Sequence, residues 1–407
     1  MPREPGREKK KEVMKDIILK LHEGLPVEEA KERFLREVGN VSSTEIAEIE
    51  QELIDEGLSP EEIRKFCNVH ALLFESALAA GASGVESPAH PVYLFKQENR
   101  EIEKILKELK RLASIGASSG VEQFKAQALA QLEKLHGVEV HYRRKEQVLF
   151  PFLEKHGFFG PSKVMWGKDD EIRDLMKKAR SALNALSNTS AVEGLVKSNL
   201  NPLIDEVEGM IFKEESILFP TSLEKLTVEE WAEVLSESED AGYVFIQKPA
   251  ETEVLTKNLL KSYTVEPAVR EKEKIVFPTG SFTLRELLHA LNTLPVDITF
   301  IDADDRVAYY SEGKERLFLR TKSVLGRTVQ NCHPPRSVDA VNRILESFKK
   351  GTRDSADFWI TLQGKFVLIR YFAVRENGRY LGTLEMTQDV TGIRKLEGEK
   401  RLLDETW

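Results

Sequence analysis

Cysteine is nearly missing from this 407-residue chain: only Cys67 and Cys332 occur, so no disulfide framework is available and a reducing compartment fits. Long uncharged apolar runs and a signal-peptide pattern are also missing, which leads us to expect a soluble cytoplasmic protein without a membrane partner. Basic residues are not in surplus. The 59 Lys and Arg face 68 Asp and Glu, a net charge of −9, which argues against direct nucleic-acid binding. No phosphate-cradling glycine loop, kinase signature, helix-turn-helix or Ser/His/Asp set can be assembled, so an enzyme is the less favoured expectation.

What is present is charge, at 31% of residues, and helical periodicity. A chain of this length predicts two or three domains. Residues 11–79 carry short amphipathic helices: Val13, Ile17 and Leu21 mark the first, Val27, Ala30 and Phe34 the second. Ser42 or Ser43 opens a third that stops at Gly57, and Ser59-Pro60-Glu61-Glu62 opens a fourth running through Cys67 and His70. Residues 86–230 read as four longer helices with short polar links, an up-down-up-down bundle. In the last of them Pro202 predicts a kink or the true helix start. Periodicity fades over 236–280, which reads as a linker. From 281 to 403 the pattern is α+β: strands at 297–302 and 307–310, a helix at 337–349, three consecutive strands from 356 to 388, and a charged helix from Gly392 to Leu403.

The bundle region says one thing twice. Val148-Leu149-Phe150-Pro151 returns as Ile217-Leu218-Phe219-Pro220, and in that alignment Glu146 falls on Glu215 and Glu139 on Glu208. Glu139 and Glu146 lie seven residues apart, as do Glu208 and Glu215, so the two acids of each helix share a face. If those faces point inward, the carboxylates need metal, arginine partners or solvent, because an unpaired buried charge is costly. On the other reading they sit on a solvated face beside Arg143, Arg144 and Lys145.

Three resemblances follow from particular residues. Cys67-Asn-Val-His70 resembles the small helical DUF438 family. His90-Pro91, the two Leu-Phe-Pro endings and Trp166-Gly-Lys-Asp-Asp-Glu-Ile-Arg173 resemble a hemerythrin-like (HHE) bundle. Pro295-Val-Asp-Ile-Thr-Phe-Ile-Asp302, Ser323-Val-Leu-Gly-Arg327, Asn331-Cys-His-Pro-Pro335 and Thr387-Gln-Asp-Val390 resemble a PAS domain. The fold so implied is multidomain: an all-α N-terminal domain and four-helix bundle, then an α+β PAS domain.

The HHE resemblance implies a histidine from each of two helices and, from the other two, a histidine followed four residues later by a carboxylate. Here those places hold Asn99 and Asp169, His141 with Lys145, and Met210 with Glu214, so only His141 and Glu214 fit. Either the bundle has lost its metal, or a carboxylate-rich set of His90, His141, Glu146 and Glu215, with His70 reaching in, holds non-haem iron. His70 beside Cys67, and His333 in the PAS region, are further cofactor candidates. Each has a structural alternative, a hydrogen-bonded core histidine for the first and a loop cap for the second. The function expected is a sensor or signalling adaptor. Its helical modules respond to iron, oxygen, nitric oxide or redox state, and its PAS domain binds an unidentified ligand, dimerises with help from the C-terminal helix and relays to a downstream signalling protein. Non-haem iron chemistry carried out directly, or haem held by His70, His90 or His333, are the alternatives.

Overall fold

The computed structural model describes residues 12–17, 19–20, 25–38, 48, 51–52, 90–116, 118, 120–248, 274–313 and 316–399. Two compact units divide the chain near residue 264. Near the N-terminus α1 (Val27–Glu37) buries Ala30 and Phe34, as its spacing predicts. The helices read at 42–57 and from Ser59 onward, with Cys67 and His70, lie outside the described residues apart from 48, 51 and 52.

Four helical rods form the body of the first unit. The first is α2 (Pro91–Ile115), entered through His90 at the cap and proline in the first turn. The second joins α3 (Val121–Leu135), α4 (Val138–Arg144) and α5 (Phe150–Lys155). The third is α6 (Gly160–Ala185), and the fourth joins α7 (Val192–Leu195), α8 (Asn201–Lys213) and α9 (Phe219–Lys225). Each rod packs on its neighbours in sequence and the first packs on the fourth, the closed ring of an up-down-up-down bundle. Leu106, Leu109, Leu132, Ile172, Leu203 and Val207 are among the side chains that fill it. Full burial of each contributes about 1.5–3 kcal/mol.

The second and fourth rods are continuous where prolines should break them. Lys145–Leu149, Val196–Leu200 and Glu214–Leu218 are π-helical turns, and each is followed by one residue and then Pro151, Pro202 or Pro220. The amides of Phe150, Asn201 and Phe219 reach back five residues, to the carbonyls of Lys145, Val196 and Glu214. Proline has no N–H for the usual ladder and its ring crowds the carbonyl four residues back. The widened turn meets both faults, so helical structure runs on from α7 through Pro202, which falls in the first turn of α8.

A fifth helix, α10 (Val228–Ala241), extends beyond residue 236, where periodicity in the sequence gave out. Thr227 and Glu230 form a reciprocal capping box, and Trp231, Val234 and Leu235 are buried. Residues 242–248 then lie against the bundle as an irregular strap.

The second unit opens with a hairpin of β1 (Lys274–Phe277) and β2 (Gly280–Thr283), then α11 (Leu284–Thr293), of which no residue is buried. A five-stranded antiparallel sheet follows in the order β4-β3-β7-β6-β5. Its strands are β3 (Asp297–Asp302), β4 (Val307–Tyr310), β5 (Ser355–Leu362), β6 (Lys365–Glu376) and β7 (Arg379–Asp389). The turn between β3 and β4 is held by Asp302, whose Oδ1 accepts from the amides of Asp304 and Arg306 at 3.0 and 2.9 Å. Helix α12 (Pro335–Lys349) buries Leu345 and Phe348, and Leu345 packs with Ile301 and Val329. The charged helix expected from Gly392 does not form over the described residues. Ile393–Lys395 is one 3-10 turn, and 396–399 are not helical.

Candidate functional site

The doubled ending carries the polar centre of the bundle. His141 lies on α4, Lys145 and Glu146 on the π-turn after it, Glu214 on the matching π-turn, Glu98 and Asn99 on α2, and Asp169 on α6. All seven are buried, as is Arg144 beside them. The Lys145 Nζ donates to Glu214 Oε1 at 2.6 Å and to Asp169 Oδ1 at 2.8 Å, and stands 4.3 Å from the centre of the Tyr142 ring. Glu214 Oε2 faces His141 Nε2 at 3.1 Å and accepts from Asn99 Nδ2 at 3.1 Å. His141 Nδ1 faces Glu98 Oε2 at 2.7 Å.

Glu98 is the hub of a second cluster. Arg144 grips it with two bonds of 2.9 and 2.7 Å, and the Val244 amide of the strap donates to it at 3.0 Å. The Arg144 guanidinium is sandwiched between the rings of Phe95 and Tyr243, at 4.1 and 4.6 Å. A third cluster centres on Arg173, which binds both oxygens of Glu146 at 2.9 and 3.2 Å and also reaches Glu139 and Asp170.

Protonation follows from this packing. Burial opposes charge on Glu214, yet the Lys145 ammonium and His141 outweigh it and hold the carboxyl down at about 2. Burial likewise opposes the charged forms of His141 and Lys145, but the facing carboxylates win and raise both. Asp169 goes the other way: burial, with Glu146 close by, pushes it well above the carboxylate range despite Lys145. Its Oδ2 has no hydrogen-bond partner.

Of the sequence-based candidates, the structure brings His141, Glu146 and Glu214 to this centre, each already paired. Glu215 is half-buried at its edge, bonded to Asn99 at 3.1 Å and to Arg100. His90 caps α2, its Nδ1 accepting from the Val92 amide at 3.2 Å, and packs on Trp231. It lies eight residues before Glu98, roughly 12 Å along the helix. His333 is a half-buried loop residue whose Nδ1 donates to the Val329 carbonyl at 2.8 Å. Burial, the larger effect, lowers its pKa. Arg144 and Lys145 are not on a solvated face: they are 1% and 0% exposed. Glu98 escaped the sequence reading, which put Arg144 on a solvated face and gave Arg173 no role in the site. Glu98 had a signal, because Leu94, Glu98 and Ile102 stand four apart on one helical stripe.

These residues do not suit iron. Both His141 nitrogens face carboxylates, and every central carboxylate faces a cation or an amide, so a metal ion would have to displace partners already in place. The middle position is an ammonium, which has no lone pair to give. Among the described residues no three His, Cys, Asp or Glu side chains are arranged to hold a metal ion.

The second unit has a smaller polar interior. Glu385 is 3.6 Å from Arg320, beside Thr299, Thr387 and Ser311, around a cavity of about 10 Å3, room for one water. Among the described residues no helix is long and apolar enough to cross a membrane.

Against known proteins, residues 14–80 match a family of unknown function (DUF438), 90–222 the hemerythrin HHE cation binding domain, and 287–391 the PAS domain. Among solved structures, the C-terminal domain of a protein from Streptococcus mutans is 34% identical and covers 31% of this chain and 99% of its own, with a TM-score of 0.30. A PAS domain from Colwellia psychrerythraea is 15% identical over 27% of this chain and 98% of its own, with a TM-score of 0.22. The sensor region of a sensor histidine kinase is 18% identical over 24% and 41%, with a TM-score of 0.19. No curated protein matches. The chain matches three family models in order: DUF438, hemerythrin HHE and PAS.

Proposed function

We propose that this chain is a sensor or signalling adaptor that works as a homodimer, its PAS unit joining two copies and relaying a cue to a downstream signalling protein. The PAS and hemerythrin matches support a sensory or signalling role. The observation that carries the dimer is the edge strand β5. It ends the sheet, and Phe358, Trp359 and Ile360 stand exposed on it, Trp359 at 64%. An exposed apolar edge invites pairing. Antiparallel pairing with β5 of a second copy across a two-fold axis would continue the sheet and cover Trp359 on both sides. Helix α11 adds two more exposed apolar side chains, Leu284 and Leu288. Light scattering on the full chain tests this. A dimer that Trp359→Asp turns into a monomer is expected, and a monomeric wild type at tens of micromolar overturns it.

A second reading has one observation behind it, the match of residues 90–222 to a cation binding domain. In that reading the bundle takes up non-haem iron and answers oxygen, nitric oxide or redox state. Metal analysis with an absorption spectrum on anaerobically purified protein separates the two. Stoichiometric iron, or a Soret band for haem, favours the second.

A further inference from the structure

We propose that Lys145 is the built-in cation of this bundle, its ammonium doing the structural work that a bound metal ion would do between the same helices. The position is the argument. Lys145 is four residues after His141 on one continuous rod, which places both side chains on one inward face. Its Nζ is fully buried and joins Asp169 of the third rod to Glu214 of the fourth. Glu214 in turn accepts from Asn99 of the first rod and faces His141 of the second. One cation and one carboxylate therefore tie all four rods.

The same geometry excludes a second cation. A divalent ion placed between Asp169 and Glu214 would meet a fixed positive charge in a low-dielectric interior, where repulsion over a few ångström is many times its value in water. Arg144 on Glu98 and Arg173 on Glu146 guard the two flanking carboxylates in the same way. The cation of this cation-binding family module is thus supplied by the chain itself, and the bundle folds without waiting for metal.

The experiment uses the full chain and Co2+ as the probe. In the wild type we expect no d–d absorption and no change in thermal midpoint with Co2+, Fe2+ or a chelator. K145E replaces the ammonium with a carboxylate four residues after His141 and leaves an acid-rich centre. It is expected to melt earlier without metal, to take up Co2+ with visible bands, and to regain about 5–10 °C at a Co2+ concentration ~100-fold above its Kd. A wild type that binds Co2+ or Fe2+ stoichiometrically with a raised midpoint overturns the proposal. So does a K145E chain that stays unfolded, or folded and indifferent, in Co2+.

Discussion

Lys145 and Glu214 hold the same place in the two copies of the Leu-Phe-Pro ending, 69 residues apart, and bond each other at 2.6 Å. A duplicated position has become two halves of one ion pair. Were both acidic, two buried carboxylates would face each other and an outside cation would be needed. The sign change at one of them settles the charge internally.

Removing one half of such a pair is costly because the other stays buried. Lys145→Met leaves Glu214 with only His141 and Asn99, and Asp169 with no ammonium. We expect a loss of about 3–5 kcal/mol in urea unfolding of the first unit, with the second unit's transition unmoved.

Glu214 makes stability depend on acid. Its ordinary value is 4.5 and the folded value about 2. The unfolded state therefore binds the proton first, and this stabilisation, complete above about 4.5, is lost as pH falls toward 2. His141 has the opposite sign. Raised above its ordinary 6.5 by Glu214 and Glu98 against the effect of burial, it stabilises below that value and loses this contribution as pH rises through the folded value. A urea midpoint followed from pH 2 to 9 should show both limbs, with Glu214→Gln flattening both, because it also removes the carboxylate that raises His141.

Gly137 sits where the strap crosses. A Cβ there would come within 2.8 Å of the Phe245 ring and 2.9 Å of Val244. Gly137→Ala is expected to cost about 1–3 kcal/mol and to lift the strap from the bundle. Burial now holds the Tyr243 hydroxyl up at about 12. Tyrosinate absorbance should show one tyrosine returning toward 10 in the variant, and Phe at 243 should abolish that component.

In the second unit Gly382 is the position to test. It faces Asp302 across β3 and β7 with φ of 156°, and a Cβ would collide with the Ile301 carbonyl and come 2.7 Å from the Phe300 ring. Gly382→Ala should cost about 2–4 kcal/mol and unfold the sheet at lower urea, leaving the bundle transition in place.

The four rods were legible because each buries one face at a regular period, and the five strands because short apolar and β-branched runs are bounded by turn residues, even β5, which buries no face. The doubled ending was legible as a repeat. The centre it carries was not, because sequence shows which charges exist but not which meet. Arg144 and Lys145 sit in a run of cations that normally belongs in water, and only Glu98, Asp169 and Glu214, from three other rods, make their burial affordable. Helix α10 was not read as a helix, because Glu237, Glu239 and Asp240 dilute its apolar stripe, although Leu235, Ser238 and Ala241 are buried.

The three π-turns act as insertions of one residue each, held open by the proline that follows. An inserted residue rotates everything downstream by roughly 100° relative to a plain helix. Both copies of the ending carry this rotation at the same point, between the charged centre and the Phe-Pro cap. Deleting one residue from either turn would therefore re-aim one cap against its twin while leaving composition almost unchanged. What the two copies hold in common is a helix phase.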